Sequence, residues 1–402
     1  MIDGPVVNAK DFGLSATGTA AANVTAIQTA VAKINAAGGG VLVLPPGNYN
    51  IITTPVVSPV QPAALFAFDS CVGVGIQSFG AVLTDITNYS AVYNWSSLFS
   101  FNNCVNVEFD LDVTTQAWIQ DPAYDKRGLN AVTLLGKCIN VTGKIKSVGG
   151  VAVFRCYHSA HDGSEQSRLI DVQIDAKSAE YPMLCEDSGN NLNAQIFAEE
   201  CGRTFFISGT KNVNIDARVL NCRGTSLIAA YGGYGCSDVD VRYTDRDSTV
   251  GYATPAIRMQ YTQNVAARMR NINIVFDVYN AVQSPAYNRL FDLYTEFGGI
   301  GHILDGLDIT GIMECGADAA YSITNAVSVV GGQAWTSSDF MRRINFHDIF
   351  SSGTGGAGVI DFALAALKDT ATVTDVVTVP TAGIFMRNGA AGQVIYTNCR
   401  AA

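Results

Sequence analysis

Apolar and polar residues alternate in short runs along most of this chain, and the runs restart at a recurring phrase. The phrase is Asn or Asp, an aliphatic residue, any residue, then usually another apolar one. It reads Asn106-Val107-Glu108-Phe109, Asn140-Val141-Thr142-Gly143, Asp171-Val172-Gln173-Ile174 and Asn193-Ala194-Gln195-Ile196. It continues as Asn212-Val213-Asn214-Ile215, Asp238-Val239-Asp240-Val241 and Asn271-Ile272-Asn273-Ile274, with weaker copies at Gly306-Leu307-Asp308-Ile309 and Arg343-Ile344-Asn345-Phe346. Successive copies lie 34, 31, 22, 19, 26, 33, 35 and 37 residues apart.

Asn and Asp tolerate the left-handed backbone that a one-residue corner needs. The alternation after each corner predicts a strand with one face inward. A second short strand precedes many corners, as in Leu98-Phe99-Ser100-Phe101, Val151-Ala152-Val153-Phe154 and Ala256-Ile257-Arg258-Met259. Short strands, single-residue corners and a step near 20–35 residues predict the coils of a parallel β-helix. Cysteines keep the same register: Cys104, Cys138 and Cys236 each stand two residues before a corner. Cys201, Cys222 and Cys315 stand eight to ten after one, so two interior ladders are expected. A β-sandwich would need tight Asn-Gly or Asp-Gly hairpins, which are sparse here.

One segment has helical rather than strand periodicity. Ile27, Ala30, Val31 and Ile34 predict an amphipathic helix over 23–36, with Asn23 as N-cap and Gly38-Gly39-Gly40 as its stop. Such a helix would cover the open end of the first coil. The order Asp11-Phe12-Gly13, Ala26-Ile27-Gln28-Thr29-Ala30, Gly38-Gly39-Gly40-Val41-Leu42-Val43-Leu44-Pro45-Pro46-Gly47-Asn48-Tyr49 resembles the start of pectate-lyase-like right-handed β-helix proteins. These include polygalacturonase-type glycosidases, polysaccharide lyases and many bacteriophage tailspikes. The chain departs from their pattern where acidic residues usually precede Ala-Ile-Gln: Asn23, Val24 and Thr25 stand there. The resemblance implies an all-β right-handed parallel β-helix and a long carbohydrate substrate. Three parts are expected: a cap over 1–60, the β-helix over 61–353 and a C-terminal segment over 354–402.

Composition narrows the classes further. Only 15% of residues are charged and 48% are hydrophobic, which excludes disorder and coiled coil. The net charge of −10 argues against nucleic acid. No run of 18 apolar residues predicts a membrane span. The N-terminus shows no secretory leader. The ten cysteines contain no Cys-x-x-Cys pair, so reduced, buried, hydrophobe-like thiols are expected rather than a zinc cage.

The chemistry gathers in two places. The first is the segment Arg155 to Glu165, with Tyr157, His158, His161 and Asp162, followed on the next coil by Glu186 and Asp187. Alignment on the corners brings Arg155 and Tyr157 near Glu186. A hydrolase needs two carboxyl groups, for which Glu186, Asp187, Asp162 and Glu165 are candidates. Glu186 and Asp187 work together only if Asp187 lies in the turn. A lyase on an acidic sugar needs a base such as Tyr157, His158 or Arg155. The second is a stripe of Arg258 and Gln260, then Asp292, Tyr294 and Glu296, with Tyr231 and Tyr234 between the two places. Aromatic faces beside amides and carboxylates are how sugars are held.

Other features carry less. His158-x-x-His161-Asp162 lacks a third metal ligand. Asp245-Arg246-Asp247 is the nearest thing to a calcium segment, without the oxygen-rich loop calcium uses; no cofactor is expected. His302 and His347 stand singly beside strands and read as structural. Asn140-Val141-Thr142 matches a glycosylation sequon, but Asn140 is a corner residue. The signatures of polygalacturonase-type hydrolases do not appear, so no catalytic residue is carried over from the resemblance.

The expected function is depolymerisation of a bacterial surface polysaccharide, with a glycosidase of the phage tailspike type favoured. A bacterial lyase acting by β-elimination on an acidic glycan and a non-catalytic glycan-binding adhesin are the alternatives. The weakly charged C-terminal segment and the tailspike resemblance point to a homotrimer, on a virion tail or extracellular.

Overall fold

The computed structural model describes residues 4–53, 64–87, 96–115, 119–121, 125–157, 166–222, 224–231, 233–246, 248, 255–262, 265–279, 291–295, 300–314, 321–323, 338–353, 360–362, 371–380, 386–387 and 394–401. The chain divides into two compact units, residues 1–160 with 164–202, and 161–163 with 203–402.

In the first unit the long strands Val72–Asp85, Val105–Thr114, Ile139–Val148, Arg168–Lys177 and Asn190–Glu199 pair in parallel in that order. The short strands Ala64–Asp69, Ser97–Asn102, Asn130–Leu135, Ala152–Tyr157 and Tyr181–Glu186 form a second parallel sheet. Each coil gives one strand to each sheet. Equivalent side chains therefore stack at the strand spacing, about 4.8 Å. Phe66 meets Phe99 at 5.0 Å, and Phe68 lies flat on Phe101 at 5.1 Å. Stacked aromatic pairs add roughly 0.5–1.5 kcal/mol each beyond the area they bury.

Cys71, Cys104 and Cys138 form one interior column beside them, each preceding the aligned residues Val72, Val105 and Ile139. The Cys138 thiol donates to Phe101 O at 3.1 Å. Burial pushes the Cys104 thiol up to about 12. Of the second expected column, Cys201 and Cys222 are buried in different units and Cys315 lies outside the described residues.

The corner phrase marks the turn in most coils. Asn106 and Asn140 have φ of 56° and 59°. Asn140 also donates its amide to Asn106 Oδ1 at 2.8 Å, so the sequon asparagine is part of a ladder. Two copies are displaced. Leu169 (φ 57°) and Asn191 (φ 49°) turn the corners, while Asp171 and Asn193 sit two residues further on, aligned with Thr142 on the outer strand face.

The helix runs over Ala20–Ala36 and is capped by Thr19, whose hydroxyl accepts from Ala22 N at 3.2 Å. The expected cap Asn23 is instead buried. Its Oδ1 accepts from Ser15 N at 3.0 Å, and its amide donates to Asn50 O at 3.0 Å, tying the helix to the chain on both sides. Ile27, Ala30 and Ile34 face the core as the periodicity predicts. Among the described residues no helix is long and apolar enough to cross a membrane.

The second unit repeats the plan. Its long strands are Lys211–Leu220, Tyr234–Asp245, Arg268–Tyr279, Ile303–Glu314, Phe340–Gly353 and Ala371–Pro380, again parallel and in order. Its corners are Asn212, Asp238, Asn271, Gly306 and Arg343, with φ from 50° to 98°. An irregularity interrupts the pairing of the strands Ile303–Glu314 and Phe340–Gly353: Ile309 aligns with Phe346, but Gly311 with Ile349. The additional residue falls at His347-Asp348, and Asp348 is left-handed with φ 49°. The expected C-terminal segment, 354–402, lies largely outside the described residues.

Candidate functional site

The alternation of the long strands in the second unit fixes what each face carries. Val239, Ile272, Leu307 and Ile344 align and are buried, as do Val241, Ile274, Ile309 and Phe346. The residues between them must point outward. Two positions past each corner the outward column reads Asp240, Asn273, Asp308, Asn345. Short polar side chains and Gly306 leave a groove over this face, about 590 Å³ in volume. It is lined by Asp238, Asp240, Asn271, Asn273, Asp308, Thr310, Arg343, Asn345 and His347.

The groove's groups are linked across strands. Asn271 donates to Asp238 Oδ1 at 2.7 Å and Asn273 to Asp240 Oδ1 at 3.1 Å. Thr372 donates to Asn345 Oδ1 at 2.6 Å. His347 lies between two carboxylates, with Nε2 2.7 Å from Asp308 Oδ1 and Nδ1 2.8 Å from Asp348 Oδ2. Asp348, more than burial opposes, raises the His347 pKa, and Asp308 adds to the effect. A partly exposed imidazole held between carboxylates can store a proton and pass it on. Asp240 and Asp308 stand two strand spacings apart, about 9.6 Å between Cα atoms. Carboxyl pairs at about 6.5–9.5 Å leave room for a water between catalyst and sugar.

In the first unit, Arg155 and Tyr157 project beside Glu186. Tyr157 aligns with Glu186 in the parallel pair. Arg155 donates Nε and Nη2 to Glu186 Oε2 at 2.9 and 2.6 Å, and its guanidinium lies 4.5 Å from the centre of the Tyr157 ring. The Arg155 side chain is 6% exposed. Asp187 is in the turn, left-handed at φ 51°, and buried. His158, His161, Asp162 and Glu165 lie outside the described residues.

No protein-family profile and no curated protein matches the chain. Solved structures do. The A-module of the Azotobacter vinelandii mannuronan C-5 epimerase AlgE6 superposes with a TM-score of 0.57 at 11% identity, over 98% of this chain and 99% of that one. An exopolygalacturonase from Thermotoga maritima gives 0.58 at 13% identity, over 100% and 92%. The Agl-KA catalytic domain gives 0.51 at 12% identity, over 99% and 68%. The fold is a right-handed parallel β-helix.

On this β-helix the second expected stripe is placed in register. Arg258 aligns with Asp292, and Gln260 with Tyr294. Arg258 Nε donates to Asp292 Oδ2 at 3.1 Å and the guanidinium lies 4.8 Å from the Tyr294 ring centre. Asp292 and Tyr294 are buried; Glu296 lies outside the described residues. This repeats the Arg155 arrangement: a guanidinium, a carboxylate on the next coil and an aromatic face. Tyr231 and Tyr234 close a tight turn by reciprocal backbone bonds of 3.0 and 2.9 Å and leave their rings exposed. Tyr234 aligns with Arg268 at the edge of the long-stranded face. Asp245 caps its own turn, accepting from Ser248 N at 3.2 Å, and Arg246 pairs with Asp277 at 2.5 Å.

His302 is structural as expected, buried with Nδ1 accepting from Ala267 N at 3.3 Å. His347 does not stand singly: the strand irregularity at His347-Asp348 sets it between two carboxylates in the groove. Bulges often re-aim a side chain beside a site. The outward column Asp240, Asn273, Asp308, Asn345 has its own sequence signal two residues past each corner, which the corner residues alone do not reveal.

Proposed function

We propose that this chain is a polysaccharide-degrading enzyme whose substrate lies along the groove of the second unit. The observation that carries the reading is the pair Asp240 and Asp308, flanking Asn273 on adjacent strands of an outward face. In hydrolysis with inversion, one carboxyl group protonates the leaving oxygen and the other activates a water on the opposite face of the ring. Asp308 takes the first role and Asp240 the second. Asn271, Asn273 and Asn345 supply amides to sugar hydroxyls. The exposed Tyr231 and Tyr234 offer ring faces for stacking at the edge of the same sheet.

The similar folds support the reading by their names, a mannuronan epimerase and an exopolygalacturonase. Elimination by a lyase is the second reading, favoured by the arginines at the groove's end, which suit the carboxylate that elimination requires. In either case the polymer is a bacterial surface polysaccharide, and the setting we infer is a trimeric, tail-borne or extracellular protein. The buried thiols of Cys71, Cys104, Cys138, Cys156 and Cys185 support folding in a reducing compartment.

The test is incubation with a panel of capsular, exopolysaccharide and lipopolysaccharide O-chain polymers. Fragments should appear by mass, with water added and no ultraviolet-absorbing unsaturated end. Proton resonances should show inversion at the new reducing end. An unsaturated end assigns a lyase; tight binding without fragments assigns an adhesin.

A further inference from the structure

Two neighbouring coils of the first unit carry a pair of facing thiols that the groove does not use. Cys156, in the strand Ala152–Tyr157, aligns with Cys185, in the strand Tyr181–Glu186, and both are fully buried. In-register residues on paired strands have Cα atoms about 4.8 Å apart. That lies inside the window of roughly 4.4–6.8 Å that a disulfide spans. The sulfurs also point to one spot: a Cβ added to Gly189 would lie 3.5 Å from Cys185 Sγ and 3.8 Å from Cys156 Sγ. The two thiols hydrogen-bond to each other.

The column of Cys71, Cys104 and Cys138 is aimed differently. Cys138 Sγ donates to Phe101 O at 3.1 Å, Cys104 Sγ to Phe68 O at 3.4 Å and Cys71 Sγ to Asn35 Oδ1 at 3.3 Å. A thiol that gives up such a bond leaves a buried acceptor without its donor, which is costly. Joining Cys156 to Cys185 replaces their bond to each other by a covalent one. Burial, with the nearby Cys185 adding to it, raises the Cys156 thiol well above its ordinary value. The thiolate is the attacking species in disulfide exchange, so the folded coils keep this pair inert. Reaction belongs to the time when the two strands are open, during folding or local unfolding.

We propose that Cys156 and Cys185 form a latent cross-coil disulfide, closed when the chain folds in an oxidising thiol–disulfide medium and left as a dithiol when it folds in a reducing one. The oxidant is a small disulfide, here oxidised glutathione. One cysteine thiolate attacks a glutathione sulfur, and the reagent's S–S bond breaks to release one glutathione thiolate. The second cysteine thiolate attacks the protein sulfur of the mixed disulfide, and the second glutathione leaves as its thiolate. The two cysteine protons end on the two glutathiones; the protein loses two electrons and the reagent gains them. The link ties the coil of Arg155 and Tyr157 to the coil of Glu186, beneath the outward ion pair of Arg155 and Glu186. Burial then preserves whichever form has folded.

The test refolds the full chain from urea in two buffers, glutathione with its disulfide and dithiothreitol, and maps peptides without reduction. The oxidising buffer should give one joined peptide pair holding Cys156 and Cys185, two hydrogens lighter than the separate peptides, and the reducing buffer none. The linked form should keep the strand signal in circular dichroism. At a fixed urea concentration its folded-to-unfolded ratio should exceed that of the dithiol form by roughly ten-fold or more. Cys185→Ala should abolish both the link and the difference between buffers. Cell-free synthesis in the same two buffers reads the link if the chain does not refold from urea. Cys71 joined to Cys104 in place of this pair overturns the proposal, since those thiols also meet. Native protein from the oxidising buffer with both thiols free overturns it as well. So does a linked form that has lost its strand signal or unfolds as easily as the dithiol.

Discussion

Two residues past their corners, the long strands of the first unit carry Glu108, Thr142, Asp171 and Asn193, and those of the second carry Asp240, Asn273, Asp308 and Asn345. Both columns are polar and mostly acids and amides, and in both an asparagine amide donates to an aspartate on the next strand. Asn193 donates to Asp171 at 3.1 Å as Asn273 does to Asp240. The difference lies in the columns beside them. In the first unit these are Asp110, Lys144, Gln173, Gln195 and then Asp112, Lys146, Asp175, Phe197. Long side chains of both signs compensate one another there. Burial raises the Asp112 carboxyl and Lys146 opposes the shift. In the second unit the neighbouring column is Arg242, Val275, Thr310 and the re-aimed His347, and a groove opens. The same scaffold makes a charge-paired wall in one unit and an acid-lined groove in the other.

The contrast can be broken by moving charge. Asp308→Asn should lower turnover by a factor of about 10²–10⁴, the usual contribution of a general acid. Asp171→Asn, at the matching position of the first unit, should leave turnover within two-fold. Equal losses would erase the distinction between the faces.

A smaller effect concerns the Arg155–Glu186 pair. Glu186→Ala removes the carboxylate that faces a guanidinium only 6% exposed. Removing one partner of a buried pair costs about 3–5 kcal/mol; the exposed edge of Glu186 puts this case near the lower end. Urea unfolding should show that loss while turnover at low temperature stays near wild type. A hundred-fold loss of turnover with unchanged stability would move the catalytic site to the first unit.

The pH dependence is finer still. The raised pKa of His347 means the charged imidazole contributes stability fully below about 6.5, its ordinary value. That contribution disappears as pH rises through the higher folded value. His347→Asn should flatten the stability curve over that window by under about 1 kcal/mol, the scale of partly exposed pairs. A wild-type curve flat over the same window would contradict the pairing with Asp308 and Asp348. Smallest is the thiol response. The buried Cys71, Cys104, Cys138, Cys156 and Cys185 should stay unreactive toward an aromatic disulfide reagent until the protein is unfolded.

The solenoid was legible because its corners are chemical. A left-handed residue selects Asn, Asp or Gly, and Asn106, Asn140, Asn212, Asp238 and Asn271 mark the coils in the sequence. Leu169 and Arg343 break that rule, and no composition signal announces a Leu or Arg held at positive φ. The phrase copies at Asp171 and Asn193 misled by two residues because an outward strand position accepts the same residue types as a corner. Asn23 misled because a helix-cap residue type also serves as a buried bridge. The neighbourhood of Arg155 and Glu186 followed from strand alignment alone. The role of His347 did not, because it depends on one additional residue in one strand, and pairing irregularities leave no periodic trace.

Amide hydrogen exchange, measured with and without the polysaccharide that the protein depolymerises or binds, tests the central claim most directly. Protection should appear in the segments 234–245, 268–279, 303–312 and 340–349 of the second unit. Protection confined to 152–157 and 181–187 would place the glycan on the first unit and contradict the account.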